Sequence, residues 1–395
     1  MLASGLLVAS LGTAKAMPVA AGSGPAPSPQ VQFTLPAPTG HQRVGTVSLH
    51  LVDRSRPDPW VPAQPDRHLM IQIWYPAATV RGHPNAPWMT PAIARAYERL
   101  NNLPVLNWPT TAGHVGAPVQ RRRAGWPVLL YSHGLGGWRT EATALIEDLA
   151  SRGYVVVTID HTHDAFAVEF PDGRLEPSAI PELTDDNEVE LTTKAVEARV
   201  ADTRFVLDQL AALNRGRDLD ADHRRLPHGL RGALDLARVG MFGQSDGGTT
   251  TAAALHDDSR LTAGINLDGT LWTPAAVAGS RRPLLLFGRQ EEDAGRDASW
   301  ATFWANQRGP KLRLKLAGAA HDTFLDFAVL LPQAAPILGI PPDEVAKAAG
   351  TIEGRRAAAV VRAYVSAYFD RYLRGRHSDL LDGPSSRYPE VRFAP

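Results

Sequence analysis

Ser245 sits in Gly243-Gln244-Ser245-Asp246-Gly247, a Gly-x-Ser-x-Gly pattern. A serine hydroxyl is a poor nucleophile at neutral pH. It needs a base within hydrogen-bond reach and a carboxylate to orient that base. The pattern places the serine on a sharp turn with strained backbone, so the residues two positions away on each side must be small. Gly243 and Gly247 meet that demand. The run Ala237–Phe242 before it reads as a short buried strand, and Gly248–Leu255 after it as a helix rich in small residues. Such a strand–turn–helix setting would expose Ser245 above a sheet, at a helix N-terminus. The bland alternative is an ordinary glycine-rich strand-to-helix loop.

The base and the acid should follow the serine in the order acid, then histidine. His321 lies in Gly318-Ala319-Ala320-His321-Asp322, just past the alternating run Lys311–Leu316, and is the candidate base. A surface loop histidine is its bland reading. His256 reads as a surface helix residue and His377 as a tail residue. The acid has two candidates: Asp268, ending the strand that contains Gly264–Leu267, and the cluster Glu291-Glu292-Asp293 after the next strand. Position alone does not separate them, and a charge run is usually a solvated loop end. A developing oxyanion needs two backbone N–H donors. Asp246 should supply one, and Leu135 in His133-Gly134-Leu135-Gly136-Gly137 the other. His133 precedes the serine turn and reads as part of the loop's architecture.

Strands are expected at Val44–Val52, alternating like an edge strand, and at His68–Tyr75, stopped by Pro76. Others are Trp126–Ser132, Tyr154–Asp160, Leu261–Leu267, Pro283–Phe287 and Lys311–Leu316, the last at an edge. Helices are expected at Thr90–Leu100, Glu141–Arg152 (amphipathic), Glu188–Leu213, Trp300–Gln307 and Ala357–Leu373. His161–Asp186 reads as a long polar crossover. Strands alternating with helices predict an α/β fold with a mostly parallel sheet covered on both faces. The first two strands, with no helix between them, suit an antiparallel edge.

The 395 residues include no cysteine, which excludes disulfides and thiolate chemistry. Lys+Arg and Asp+Glu both number 41, so no basic field favours nucleic acid or anionic lipid. Leu2–Leu11 is a short apolar run, and Ala14-Lys15-Ala16 gives an Ala-x-Ala cleavage pattern. Residues 1–16 therefore read as a signal peptide. No Lys or Arg precedes the run, which leaves room for a start upstream; a plain apolar tail is the alternative. Residues 17–30, rich in Ala, Gly, Ser and Pro, read as a disordered linker, and residues 31–395 as one domain with loop insertions. The apolar run is too short to span a bilayer, and no later segment reads as transmembrane. The expectation is a soluble, secreted protein.

Two further stretches invite chemistry. Asp160-His161-Thr162-His163-Asp164 has metal-ligand residue types, although serine chemistry needs no metal; lining the cleft or holding a loop is the simpler reading. Phe324–Leu331, then Ile337–Ile340, reads as an acyl pocket, a transient lipid-surface contact, or core. Trp88, Met89 and the helix from Thr90 are a second candidate rim on the same grounds.

Tyr131–Thr140 followed by Asp148–Tyr154 resembles the secreted platelet-activating factor acetylhydrolases, members of the α/β-hydrolase superfamily. So do Gly243–Gly248, Ile265–Asp268 and Gly318–Phe324, and the resemblance is strongest between residues 126 and 325. It implies the α/β-hydrolase fold and places the acid at Asp268 rather than in Glu291–Asp293. It also implies no metal or cofactor, and hydrolysis of short or oxidised acyl esters of phospholipids. Bacterial relatives are broader esterases and lipases, some related to polyester-degrading enzymes. Two departures stand out. The family usually has His where this chain has Gln244, and an apolar residue where it has Asp246. A carboxylate there can favour the helix dipole, and it leaves acyl preference open.

The expectation is a secreted serine carboxylic ester hydrolase. Ser245, Asp268 and His321 are its catalytic residues, and the Leu135 and Asp246 amides its oxyanion hole. Its partner is a small-molecule or lipid ester, with no nucleic acid and oligomeric state open. The alternatives are a broad lipase or polyesterase, an acyltransferase using the same three residues, and a binding protein on a hydrolase scaffold without catalysis.

Overall fold

Runs such as Trp126–Ser132 and Val155–Asp160 are buried along their whole length, which suits strands covered on both faces. Alternate side chains of one strand serve two different cores. Val128 and Leu130 join a cluster with Val155, Met241 and Leu255, whereas Leu129 and Tyr131 join another with Val156, Phe242 and Phe369.

The computed structural model describes residues 32–394. The segments 1–16 and 17–30, read above as leader and linker, lie outside the described residues. The strands are β1 (Arg43–Asp53), β2 (Arg67–Ala77), β3 (Asn85–Pro87), β4 (Thr110–Val115), β5 (Trp126–Ser132), β6 (Val155–Asp160), β7 (Ala167–Glu169), β8 (Leu175–Pro177), β9 (Leu234–Gln244), β10 (Leu261–Leu267), β11 (Leu284–Arg289), β12 (Lys311–Leu316) and β13 (Val391–Phe393). One sheet has the order β13-β12-β11-β10-β9-β5-β6-β2-β1-β4-β3, and β7 pairs with β8 apart from it. From β12 to β6 all neighbours are parallel. β2 then runs antiparallel to β6, and β1 to β2. The helices are α1 (Pro91–Leu100), α2 (Thr143–Ser151), α3 (Glu188–Asn214), α4 (Asp246–Asp257), α5 (Pro274–Val277), α6 (Ala294–Asn306), α7 (Phe327–Leu338), α8 (Pro342–Ala349) and α9 (Gly354–Arg374). α2 and α9 cover one face of the sheet, α3 and α4 the other.

Several expectations are corrected. β1 is not an edge, because β4 pairs parallel with it and β3 lies beyond. β12 is not an edge either, because β13 pairs antiparallel with it. Clean alternation marks a half-buried strand, and it does not reveal a short neighbour remote in sequence. β2 runs through Pro76 to Ala77; near a strand end the missing N–H costs a single ladder bond. α2 is buried throughout rather than amphipathic, since α9 packs across it. The crossover at 161–186 contains the β7–β8 hairpin. α6 starts well before Trp300, where Asp293 caps it.

The chain leaves β5 toward β6 on one side and returns to β9 on the other. Loops leaving adjacent strands in opposite directions open a crevice at the strands' C-terminal ends. The loops after β5 and β9 carry Leu135 and Ser245. Their close approach depends on Gly247, where an added Cβ would lie 1.9 Å from the Ser132 carbonyl oxygen. Gly247→Ala is expected to cost about 3 kcal/mol of stability and to lower turnover with it. A urea midpoint equal to that of the wild type would show that this approach is not tight.

Candidate active site

Ser245 connects β9 to α4 with φ 54° and ψ −124°, a left-handed conformation that costs a non-glycine residue strain. Its N–H is held by the Leu267 carbonyl at 2.9 Å. It opens into a cavity of about 720 Å³, also bordered by Leu135, Asp246, Asp268 and His321. The structure thus brings all five expected residues to one place.

His321 opens a short 3-10 turn after β12. Its Nδ1–H donates to Asp268 Oδ2 at 2.7 Å. A proton on Nδ1 leaves Nε2 as an acceptor. Neither Nε2 nor the Ser245 hydroxyl has a hydrogen-bond partner among the described residues, and no bond joins the two. Such sites commonly tighten when substrate arrives. Gln244, one of the two departures, donates from Nε2 to the His321 carbonyl at 3.1 Å and so ties β9 to the backbone at His321.

Asp268 follows β10 with a φ of 55° and is buried. Besides His321 it accepts from the Arg289 N–H at 3.0 Å, the Arg289 guanidinium, and Arg296 Nη1 at 2.7 Å. Burial pushes its carboxyl pKa up, but the bond and charge of His321 and the two arginines outweigh that and hold it below the ordinary carboxylate value. The same pair works in reverse on His321. Burial pushes the imidazole down, and the Asp268 bond and charge more than offset it, so its pKa is raised. An imidazole can act as a base only in its neutral form. The acid limb of kcat/KM is therefore expected to have its midpoint above the ordinary imidazole value, and a pH–rate profile checks this. A midpoint at or below that value would refute it. The linked stability runs the other way: it is full below the unfolded histidine's pKa and is lost as pH rises through the folded one.

The rival cluster does not reach His321. Asp293 caps α6 through Arg296 N–H at 2.9 Å and accepts from Arg289 Nη2 at 2.7 Å. It supports the arginine that supports Asp268. Glu291 and Glu292 are exposed, and Glu291 borders the cavity.

Neither the Leu135 N–H nor the Asp246 N–H donates to another group among the described residues. Two unpaired amides on the wall of one cavity suit a developing oxyanion. The Asp246 carboxyl heads α4 as expected, but it is buried rather than solvated. Burial, with Asp164 nearby, pushes it up to about 6 against the opposing charge of Arg199.

The Asp160–Asp164 cluster lies outside this cavity, and its two histidines face different partners. His161 bonds Asp202 and Ser132 Oγ, both at 2.9 Å. His163 bonds Asp58 at 2.9 Å and Glu176 at 3.3 Å. Asp160 pairs with Arg139 and Asp164 with Arg199. Among the described residues, the group close enough to share a cation is His377, Asp379 and Asp382, all exposed. His133 is buried and accepts the His161 N–H at 3.3 Å.

Phe324, Leu325, Phe327 and Leu330 belong to the core, so the stretch is not the acyl pocket. Trp88 is also core: it stacks on Trp108 and donates to Asp326 Oδ2 at 2.8 Å. Trp88 and Met89 border a separate cavity of about 120 Å³. The main cavity is walled instead by Leu183, Thr192, Trp272 and, from α8, Ala346. No helix of the described residues is long and apolar enough to cross a membrane. Sequence reading missed Arg289, Arg296 and Trp272. The arginines gave no signal, since arginine beside an acidic run usually marks a surface.

Residues 60–373 match the family described as platelet-activating factor acetylhydrolase, isoform II. A probable 1-alkyl-2-acetylglycerophosphocholine esterase of Arthroderma benhamiae is 29% identical over 91% of this chain and 94% of its own. The platelet-activating factor acetylhydrolase of Cavia porcellus is 26% identical over 63% of this chain and 58% of its own. The solved ferulic acid esterase from Streptomyces cinnamoneus is 38% identical, with a TM-score of 0.76 over 91% of this chain and 98% of that one.

Proposed function

We propose that this chain, which belongs to the platelet-activating factor acetylhydrolase isoform II family, hydrolyses short-chain acyl esters, phospholipid-type esters among them, through an acyl-serine. That it is a carboxylic ester hydrolase follows from the family, and the substrate class is our reading. Ser245 attacks the ester carbonyl while His321 Nε2 takes its proton. The Leu135 and Asp246 amides receive the oxyanion. His321 then protonates the departing alcohol, and water, deprotonated by the same imidazole, releases the acid. Asp268 keeps the imidazole proton on Nδ1 and stabilises the imidazolium. The observation that carries this reading is the 2.7 Å bond from His321 to Asp268 on the wall of the cavity into which strained Ser245 opens.

A second reading is an ester of ferulic acid. It is favoured by Trp272, an aromatic residue in the cavity wall against which an aromatic acyl group can pack, and by the structural relative named above. Rates on p-nitrophenyl esters of rising chain length, beside an acetyl phospholipid and methyl ferulate, separate the two. An organophosphate should add once, at Ser245, and its absence would leave the binding-protein alternative standing. An added alcohol acceptor that captures most of the acyl group would favour transfer over hydrolysis. We further assign residues 1–16 as an export leader. A secreted product beginning at Met17 is the expected result of N-terminal sequencing.

A further inference from the structure

Arg199 lies on α3 with none of its surface exposed. A guanidinium taken out of water must find partners for its donors and its charge. Nε and Nη2 hold the two oxygens of Asp164, Nε at 2.6 Å. Nη1 donates to the His133 carbonyl at 2.6 Å, and Nη2 to the Gly134 carbonyl at 3.1 Å. The Gly134 carbonyl also accepts the Gly137 N–H at 3.0 Å and the His133 Nδ1–H at 2.6 Å, and Gly136 has a φ of 68°. Gly134–Gly137 therefore forms a type II turn.

In a trans peptide the C=O and the N–H point in opposite directions. No cis peptide occurs among the described residues. The Gly134 carbonyl and the Leu135 N–H share one peptide plane. With the carbonyl drawn to Arg199, to His133 and to the turn, the N–H must face away from all three. Leu135 borders the main cavity, and Arg199 does not. The Arg199 charge also acts on the Asp246 carboxyl, beside the second donor.

We propose that Arg199, braced by Asp164, is a positioning residue that aims the Leu135 N–H at the oxyanion. The inference rests on the oxyanion role given to Leu135 above. Arg199 touches no substrate; it acts through one peptide plane.

The turn supplies a clean test. Proline is favoured at the second position of a type II turn and carries no N–H. Leu135→Pro thus deletes the donor and keeps the turn, while Leu135→Ala deletes the side chain and keeps the donor. Relative to Leu135→Ala, Leu135→Pro should lower kcat about 100-fold with little change in KM. Arg199→Lys keeps the charge but not the fork, and should lower kcat about 10- to 100-fold. Its affinity for a trifluoromethyl ketone, which forms a tetrahedral oxyanion on Ser245, should fall in step with kcat/KM. The double variant Leu135→Pro/Arg199→Lys should lose no more than Leu135→Pro alone, because an absent N–H cannot be aimed. Where Arg199→Lys does not fold, Asp164→Asn, which loosens the arginine in place, carries the same cycle. Losses that multiply in the double variant, or an Arg199→Lys enzyme with full kcat, would overturn the inference and leave Leu135 as a donor. Equal rates for Leu135→Pro and Leu135→Ala would instead overturn the oxyanion reading itself.

Discussion

Ser245→Ala is expected to remove ester turnover almost completely, with kcat lower by about a million-fold. Any remaining rate over water would come from binding and the two free amides. The fold should be unaffected. The Ser245 hydroxyl makes no hydrogen bond among the described residues, so its loss leaves no buried partner unsatisfied. The strain at this position lies in the backbone, at φ 54°, and alanine keeps it. Ser245→Gly would relieve it. That variant should be as inactive as Ser245→Ala yet more stable by about 1 kcal/mol, the strain released less glycine's extra chain entropy. Urea midpoints and initial rates on one ester measure both. A Ser245→Ala enzyme retaining a hundredth of the wild-type rate would place the nucleophile elsewhere.

Asp268→Asn should lower kcat by about ten thousand-fold, because an amide no longer holds the imidazole proton on Nδ1. Here the change should also weaken the fold. Arg289 and Arg296 both end on this carboxylate, and Arg296 is only 1% exposed. Removing one member of a buried pair costs about 3–5 kcal/mol, since the other charge stays behind. The depressed pKa of Asp268 carries the same message. Its stabilisation is present above the unfolded carboxylate value and is lost as pH falls through the folded one. Glutamine at Glu291 and Glu292 should leave kcat within about twofold, as expected of exposed changes. Asp293→Asn keeps the helix cap and loosens Arg289, so its effect should lie between these limits. A large loss from Glu291→Gln with Asp268→Asn nearly intact would move the acid one strand along.

The catalytic candidates were legible because each sits beside a strong local signal. Gly243 and Gly247 mark the turn at Ser245, and small residues on either side of Leu135 and before His321 mark loops at strand ends. The choice between Asp268 and Glu291–Asp293 needed the family resemblance, since both follow strands. The sheet's outer strands stayed hidden because Asn85–Pro87 and Val391–Phe393 are too short to show a period. The cavity wall was misplaced for a different reason. Apolar stretches such as Phe324–Leu331 attract attention, yet strongly apolar runs are what cores are made of. One missed residue did leave a trace. Ala195, Arg199, Thr203, Val206 and Leu210 follow helical spacing, and all are buried. A charge inside an apolar stripe announces a buried ion pair before any coordinates exist.

α3 also contributes Glu188 and Thr192 to the cavity wall. At 1.5 Å per residue, Glu188 and Arg199 stand about 17 Å apart on one stiff rod. The helix whose Arg199 holds the Gly134 carbonyl is therefore the same one that borders the cavity at its other end. One rigid element thus joins the outer wall of the cavity to the peptide plane beside Ser245.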